Sequence, residues 1–404
     1  MAGLGAAPHH PRKVVTMFNI KCLNKIAKVG TDNFDTAKYA LSDTCENPDA
    51  ILVRSAKMHE MVFNPELVAI GRAGAGVNNI PVDRCAEEGI VVFNTPGANA
   101  NGVKELAIAA LLMASRNIVG GIEWAKAHQG ETGVAALAEK EKSKFAGCEI
   151  EGKSLGVIGL GAIGGLVANA AKSLGMKVYG CDPFITVEAA WGLSRSIEKA
   201  ASYDEIFETC DYITLHVPAT KDTKNMINAE SLAKMKDGVR IINLARAELV
   251  DSEAMIAAVK SGKVASYVTD FITDELIGAD DRIVCIPHLG ASTEESEDKC
   301  AVMAAKEIID YLENGNIKNS VNFPNVQLPH SGDARICIMH RNVAGVLSTI
   351  STAVAELGIN IENMLSRSRG DYAYTVLEIK GDVPEESLNQ LRAMDAMIRI
   401  RVIR

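Results

Sequence analysis

Polar or charged side chains stand at the ends of five apolar, β-rich runs in the middle of the chain: Asp182, His216, Ala245–Arg246, Asp270 and His288. In open α/β sheets, ligands bind in the crevice beyond the carboxyl ends of the parallel strands. Packing alone does not explain so many polar strand ends, so we expect these residues to border one crevice.

Three residues have the chemistry needed to oxidise an alcohol. The reaction requires a base for the hydroxyl proton, a cation for the forming carbonyl oxygen and a hydride acceptor. His288 is the candidate base, since imidazole titrates near neutral pH. Glu275 is a candidate carboxylate to orient that ring and raise its pKa. Arg246 is the candidate clamp for a substrate carboxylate, because its planar guanidinium binds carboxylates with two parallel hydrogen bonds.

Each of these residues also has a purely structural explanation. His288 follows a proline, as loop residues do, and Arg246 follows a strand, as many surface residues do. Asp270 suits a turn cap, and Glu275 lies in the acidic run DELIGADD, which is typical of a solvated surface. Their common position relative to a glycine-rich turn favours the functional interpretation of the set.

That turn is GVIGLGAIGG, residues 156–165. Gly159, Gly161 and Gly164 form the pattern G-x-G-x-x-G between an apolar strand and a helix, where glycines permit a tight turn, close approach of a pyrophosphate and helix packing. Ala162 and Ile163 stand where backbone N–H groups at the helix N-terminus would face the phosphates. The turn predicts a dinucleotide site.

Asp182 ends the next strand, about 20 residues further on, where an acidic side chain binds the ribose hydroxyls of a dinucleotide. A carboxylate there would repel the additional phosphate of NADP, so we predict NAD as the cofactor. The alternative is a solvated aspartate beside a structural glycine loop.

The composition of the 404 residues excludes several other classes of protein. The net charge of −9 gives no electrostatic support for nucleic-acid binding. No apolar run approaches the length of a membrane helix, and the N-terminal stretch lacks the apolar core of a signal peptide. Nine scattered cysteines without a CxxC pair argue against disulfide or zinc frameworks and favour a reducing cytoplasm.

Alternating strands and helices predict a parallel α/β architecture with two series of elements. The first contains four strands before residue 98, the second begins near residue 153, and a long helix is expected over residues 103–128 with an exposed connection after it. A Pro-containing stretch, residues 321–334, is interpreted as a linker. The last 71 residues, 334–404, show the order βαββαβ of a ferredoxin-like module.

The motifs GVIGLGAIG, YITLHVPAT, INLARAELVD, YVTDFITDE and IPHLGAST resemble, in this order, those of the D-isomer-specific 2-hydroxyacid dehydrogenases. The resemblance covers about residues 50–320 and implies Arg246, Glu275 and His288 as the catalytic set, with Asp270 near the nicotinamide carboxamide. It implies further NAD contacts at His216, Pro218, Thr223, Ala245 and Gly290.

The resemblance also implies a discontinuous architecture. Residues 1–98 and 289–325 would form a flavodoxin-like substrate-binding domain, and residues 99–288 an inserted Rossmann NAD-binding domain. The loop GRAGAGVNN would bind the substrate carboxylate through the backbone N–H groups of Ala75 and Gly76. Arg54, Ser55 and Arg72 would bind a substrate phosphate.

HRNVAGVL and LGINIENM resemble an ACT regulatory domain over residues 334–404. Among family members with this module, the resemblance implies NAD-dependent oxidation of 3-phospho-D-glycerate to 3-phosphohydroxypyruvate, the first step of L-serine biosynthesis. L-serine is the expected effector, bound by His340, Asn342 and Asn360, and a homodimer or homotetramer is the expected assembly.

Two alternatives remain open from the sequence. One is a dehydrogenase of the same fold that acts on another D-2-hydroxy acid, such as 2-hydroxyglutarate or glycerate. The other is a non-catalytic NAD- or amino-acid-sensing protein. Ala247, Leu276 and Ala344 differ from the residues usual in the family, which affects local loop shape but removes no reacting group.

Overall fold

The computed structural model describes residues 17–404 apart from Leu357 and Asp382, so the first predicted strand, from residue 13, lies partly outside the described residues. The chain divides into two compact units, one made of Met1–Pro96 with Asp298–Arg404 and the other of Gly97–Glu297. The first unit is therefore discontinuous, with the second inserted into it. Residues 289–297 belong to the inserted unit, and the C-terminal module belongs to the first.

The first unit begins with a five-stranded parallel sheet in the order β2-β1-β3-β4-β5. This is the strand order of flavodoxin-like folds. β2 was not predicted, because its four residues carry no long apolar run. The elements are β1 (Phe18–Leu23), α1 (Lys28–Thr31), β2 (Tyr39–Ser42), β3 (Ala50–Val53), β4 (Ala69–Arg72), α2 (Val82–Glu87) and β5 (Val91–Phe93).

The inserted unit is a doubly wound sheet of seven parallel strands in the order β12-β11-β10-β9-β6-β7-β8. The order reverses between β6 and β9, and at this switch point such folds bind nucleotides. Its strands are β6 (Ser154–Ile158), β7 (Lys177–Cys181), β8 (Glu198–Lys199), β9 (Tyr212–Leu215), β10 (Val239–Asn243), β11 (Val264–Thr269) and β12 (Ile283–Cys285). Its helices are α3 (Ala100–Ser115), α4 (Ile118–Ala127), α5 (Val134–Glu141), α6 (Gly164–Ser173), α7 (Val187–Trp191), α8 (Tyr203–Thr209), α9 (Ala229–Lys234) and α10 (Ser252–Ser261).

The long helix expected over residues 103–128 is two helices, α3 and α4, bent by 73° at Arg116 and Asn117. Arg116 is extended, and the Asn117 side chain accepts a hydrogen bond from the Gly120 amide, so a new helix starts there. The predicted connection after it contains α5. No single helix in the described part of the chain is long and apolar enough to cross a membrane, although α3 and α4 together reach that length.

The stretch interpreted as a linker is instead packed against the first sheet. Ser320 forms an antiparallel bridge with Phe93, and the Val321 amide donates to the Val92 carbonyl (2.9 Å). The Asn322 side chain accepts from the Val92 amide (3.0 Å) and donates to the Ile90 carbonyl (2.8 Å). Buried polar groups must be paired, and here the open edge of β5 supplies the partners.

The C-terminal module confirms the predicted βαββαβ order. Its antiparallel sheet, β14-β15-β13-β16, consists of β13 (Ala334–Arg341), β14 (Asn360–Arg369), β15 (Tyr372–Lys380) and β16 (Met397–Ile403). α12 (Val346–Glu356) and α13 (Glu385–Arg392) complete it. One apolar face of this sheet packs against α12. On the other face, Cys337, Met339, Tyr374 and Val376 share a core with the first sheet. The module is therefore less separate than expected.

This second face caps the end of α11 (Glu294–Asn314), whose last carbonyls have no partners within the helix. Arg401 donates to the carbonyls of Tyr311 (3.2 Å) and Leu312 (3.1 Å), and Arg335 donates to that of Asn314. Arg335 is fully buried and pairs with Glu378, which is equally buried. Breaking this buried pair would leave an uncompensated charge, so Glu378 holds Arg335 in the position from which it bonds to the end of α11.

Glu307 of α11 provides a test of this packing. Its carboxyl is buried, donation from Asn319 satisfies Oε1 (2.7 Å), and Oε2 has no hydrogen-bond partner among the described residues. Burial raises its pKa to about 8. The folded state thus holds this proton more tightly than the unfolded chain, so stability falls as pH rises from about 4.5 to about 8.

Glu307→Gln should therefore raise the melting temperature, with a gain that grows from about pH 5.5 to about pH 9. A gain of several degrees at the higher pH is expected, because each kcal/mol shifts Tm by about 2–4 °C in folded units of about 150–250 residues. Thermal unfolding followed by circular dichroism measures it. Glu295→Gln, an exposed change on the same helix, should shift Tm equally at both pH values; equal shifts for Glu307→Gln would contradict the raised pKa.

Candidate active site

The glycine turn after β6 is packed directly against the end of β9. Gly159 has φ +90°, and a Cβ there would lie 2.6 Å from the His216 carbonyl oxygen. A Cβ on Gly164 would lie 1.8 Å from the Gly159 carbonyl oxygen. A Cβ on Gly161 would meet nothing within 4 Å. Gly159 and Gly164 are thus required by close backbone packing, and Gly161 leaves open space where a pyrophosphate would approach.

α6 starts at this turn without a side-chain cap. The amides of Ala162 and Ile163 find no acceptor among the residues that the structure describes. Uncapped N–H groups and the helix dipole together favour an anion at this position. The turn therefore has the donors that a dinucleotide phosphate requires.

Asp182 braces the same turn from the end of β7. One carboxylate oxygen accepts from the Leu160 amide (2.8 Å) and the other from the Phe184 amide (2.9 Å). Each oxygen has capacity for another donor, such as a ribose hydroxyl. A cavity of about 650 Å³ adjoins it, with a largely apolar lining that includes Leu160, Ile185, Leu193 and Ile197. An adenine ring fits such a space.

His216 and the loop after it have mainly structural contacts. Thr214 Oγ1 lies 2.9 Å from His216 Nε2, and burial lowers the pKa of the ring to about 4, so it is neutral at pH 7. Thr223 closes the loop, because its hydroxyl donates to the Pro218 carbonyl (2.6 Å) and accepts from the Thr220 amide (2.8 Å). Pro218 and Thr223, both predicted cofactor residues, therefore fix each other's position in this loop.

Asn243, a residue that the sequence analysis missed, shapes the loop that carries Arg246. Its buried side chain accepts from the amides of Ala245 (3.2 Å) and Arg246 (3.4 Å) and donates to the Arg246 carbonyl (2.8 Å). Arg246 Nη1 donates to the Ala245 carbonyl (2.7 Å). An asparagine at the end of an apolar strand was the available signal, since such side chains organise turns.

Asp270 is almost fully buried at the end of β11. Its Oδ2 accepts from the Gly290 amide (3.0 Å), whereas Oδ1 has no hydrogen-bond partner among the described residues. Burial raises the pKa of this carboxyl, and the Gly290 amide and the charges of His288 and Arg246 act against that rise. The unpartnered oxygen is an acceptor suited to an amide donor.

His288 lies beside Asp270 in a left-handed conformation (φ +49°), which is uncommon for a residue other than glycine. Its amide donates to the carbonyls of Asp270 (3.0 Å) and Ile286 (2.9 Å), and its exposed ring packs on Phe271 with centroids 4.8 Å apart. Such strain is concentrated at functional sites. Phe271 is a second residue that the sequence analysis did not identify.

Glu275 is not brought to His288. It is exposed, and the nearby Thr273 hydroxyl and its own backbone lower the pKa of its carboxyl. The expected pair is therefore not formed in this structure, because the loop after β11 leaves the Glu275 side chain in solvent. The structure groups Arg246, Asp270 and His288 at one sheet edge.

The predicted substrate residues of the first unit also lie at carboxyl ends of strands. Arg54 and Ser55 follow β3, where the Asn24 side chain accepts from the Ser55 (3.0 Å) and Ala56 (2.7 Å) amides. Arg72 ends β4, and its guanidinium lies over Gly74, where a Cβ would be 1.7 Å from Nη1.

The loop with Ala75 and Gly76 continues from there. Asn94 anchors it, since its side-chain amide donates to the Ala75 carbonyl (2.6 Å).

His340 is not available to an effector in this structure. It lies buried in β13, with Nε2 2.9 Å from Thr375 Oγ1 and Nδ1 2.9 Å from the Arg341 carbonyl oxygen. Burial lowers the pKa of its ring. Asn342 is exposed and donates to the Gly370 carbonyl (3.0 Å), and Asn360 is exposed at the start of β14. The three residues do not form one polar cluster as expected.

All nine cysteines are free thiols. Across residues 17–404, Leu357 and Asp382 excepted, no three His, Cys, Asp or Glu side chains are placed to hold a metal ion.

Comparison with known proteins assigns the family. Residues 108–290 match the family described as D-isomer specific 2-hydroxyacid dehydrogenase, NAD binding domain, and residues 336–396 match the ACT domain. D-3-phosphoglycerate dehydrogenase of Escherichia coli K12 is 32% identical over 403 residues, with 95% of each chain covered. This chain belongs to the D-isomer-specific 2-hydroxyacid dehydrogenases.

Other relatives of the dehydrogenase agree with this assignment. D-3-phosphoglycerate dehydrogenase of Methanocaldococcus jannaschii is 33% identical over 363 residues, covering 87% of this chain and 67% of that protein. The NAD⁺-bound 3-phosphoglycerate dehydrogenase of Entamoeba histolytica has a TM-score of 0.60 at 29% identity, covering 76% of this chain and 99% of that one.

The dehydrogenase is an oxidoreductase with an NAD-binding domain, and its own residues fit NAD. The open space at Gly161, the apolar cavity beside Asp182 and the unpartnered Asp270 oxygen suit the pyrophosphate, the adenosine and the carboxamide, respectively.

Substitutions in the glycine turn should separate folding from cofactor binding. Gly159→Ala introduces both a strained φ and a clash with the His216 carbonyl, so we expect a loss of at least about 1–3 kcal/mol of stability. Gly161→Ala should leave Tm unchanged but weaken NADH binding about tenfold, because its methyl group occupies the phosphate approach. Thermal melts and NADH fluorescence titrations measure both. Unchanged affinity in Gly161→Ala would place the phosphates elsewhere.

Proposed function

We propose that the dehydrogenase oxidises 3-phospho-D-glycerate to 3-phosphohydroxypyruvate with NAD, as the first step of L-serine biosynthesis. The observation that carries this proposal is the match to D-3-phosphoglycerate dehydrogenase of Escherichia coli over 95% of both chains, which includes the C-terminal module.

The residues of this chain divide the chemistry among them. Arg246 binds the substrate carboxylate and the oxygen that becomes the carbonyl. His288 takes the hydroxyl proton, and its amide, which donates to the Asp270 carbonyl (3.0 Å), holds it beside Asp270. Bound NAD supplies the acceptor for the hydride that leaves the same carbon. Glu275 joins this set as the partner of His288 if its loop moves from the position described above.

The substrate is oriented from the first unit. Backbone N–H groups of Ala75 and Gly76 bind the carboxylate, with Asn94 holding that loop in place. Arg54, Ser55 and Arg72 bind the phosphate at the ends of β3 and β4. Two cationic side chains supply the local positive charge that an anionic substrate needs against the net charge of −9.

Regulation, assembly and location follow as parts of the same proposal. L-serine binds the ACT domain through Asn342 and Asn360, with His340 acting only if β13 rearranges. A homodimer or homotetramer is expected, since α4 has no buried residue and exposes Ile118 and Ile122. Nine free thiols suit a reducing cytoplasm.

Replacement of the proposed base should remove turnover without removing the cofactor. His288→Asn should lower kcat by about 10²–10⁴, the range for loss of a positioned acid–base group. NADH affinity should be unchanged. Steady-state assays with 3-phosphoglycerate and NADH titrations measure the two effects; a kcat within twofold of the parent enzyme would exclude His288 as the base.

Replacement of the proposed phosphate residue should change substrate preference. Arg54→Gln should raise KM for 3-phosphoglycerate at least about tenfold, because a charge-assisted hydrogen bond contributes about 1.5–3 kcal/mol. KM for glycerate, which lacks the phosphate, should not change. Lys57→Gln, an exposed neighbour, is the matched control. Turnover of glycerate or 2-hydroxyglutarate in preference to 3-phosphoglycerate would instead support another hydroxy acid as substrate.

A further inference from the structure

A second cavity, with a polar lining and a volume of about 540 Å³, lies within the first unit. One wall is the end of β14, and the other is the stretch at residues 319–325 together with the chain that follows β5. Its polar lining consists chiefly of Asn94, Asn319, Ser320, Asn325, Arg367 and Arg369.

The charges of this lining all have one sign. Arg367 and Arg369 alternate along β14, so their side chains project from the same face of the strand. No carboxylate is among the described residues that line the cavity. Arg367 is exposed and forms no ion pair with a described residue. Guanidinium and amide donors without a counter-charge favour a small anion, in a protein whose overall charge is negative.

The wall opposite Arg367, which contains Asn319 and Ser320, is held in place by hydrogen bonds within the protein. Arg369 Nη1 donates to the Ser320 carbonyl (2.6 Å), and Ser320 is bridged to Phe93 at the edge of the first sheet. The Asn319 side chain donates to the buried Glu307 (2.7 Å). Such prior ordering reduces the entropy lost on binding.

The cavity is also connected to the loop at Ala75. Asn94 lines the cavity, its amide donates to the Asn319 carbonyl (3.3 Å), and its side chain donates to the Ala75 carbonyl (2.6 Å). An anion bound to Arg367 and Asn94 would therefore contact Asn94, the residue that holds the Ala75 loop in place.

We propose that this cavity is an effector site for a small anion that carries phosphoryl or carboxylate groups. It is distinct from the predicted L-serine residues, none of which lines it. Binding does not depend on the proposed function. Only its expected effect on KM rests on the role proposed for the Ala75 loop.

Isothermal titration of the full chain with inorganic phosphate, and separately with citrate, tests the site at constant ionic strength set by chloride. The Arg54→Gln variant serves as the background, so that phosphate at the proposed substrate site does not contribute. Adding Arg367→Gln should weaken binding at least about tenfold, the loss of one charge-assisted bidentate contact. If Arg367→Gln weakens the binding of phosphate, the recognised group is phosphoryl. If it weakens the binding of citrate, the recognised group is carboxylate.

Two further variants make the result specific. Arg195→Gln removes an exposed arginine from the inserted unit and should leave affinity unchanged. Asn325→Asp places a negative charge in the cavity and should abolish binding while Tm is retained. Equal affinity in the Arg367→Gln, Arg195→Gln and background proteins would overturn the proposal.

The kinetic arm compares Arg54→Gln with and without Arg367→Gln, so that anion at the proposed substrate phosphate site does not contribute. Saturating anion should change the KM for the hydroxy acid and leave kcat unchanged in Arg54→Gln, and this change should disappear when Arg367→Gln is added. Loss of anion binding with normal basal turnover separates this site from the catalytic one. Loss of turnover in Arg54→Gln or His288→Asn alone concerns the proposed function and not this cavity.

Discussion

The contact between the Gly159 backbone and the His216 carbonyl is the constraint on which the site depends. Because no side chain fits between them, β6 can turn beside the end of β9, at the point where the strand order reverses. That turn sets where α6 begins, where its uncapped amides point and how Asp182 reaches the Leu160 amide. The cofactor position therefore follows from a close backbone packing that only glycine permits.

The candidate reacting groups lie on loops whose shape is set by buried polar side chains. Asn243 holds the Arg246 loop through backbone contacts, and Asp270 holds the segment after His288 through the Gly290 amide. Both groups are buried where an unpaired polar atom is costly, which makes the loops rigid. The unpaired Asp270 oxygen is the exception, and it is an acceptor suited to an amide donor such as the NAD carboxamide.

The first unit packs its parallel sheet and the ACT domain into one body. The C-terminal sheet covers the end of α11 and shares a core with the first sheet, with the Arg335–Glu378 pair buried between them. On the proposals made for L-serine and for the Arg367 cavity, a ligand on the C-terminal module would act on elements that share a core with the first sheet. Packed interfaces transmit such shifts because they resist continuous deformation.

The sequence by itself determined the elements and the chemical types of the site. Apolar runs and turn residues predict the βαββαβ module and both parallel sheets apart from the short edge strands β2 and β8, since these patterns are local. Tertiary structure decided which groups meet: Glu275 stays in solvent, His340 is buried against Thr375, and Val321 and Asn322 bond to the edge of the first sheet. These outcomes depend on contacts between residues far apart in the chain, or on the course of one loop, and no local periodicity encodes them.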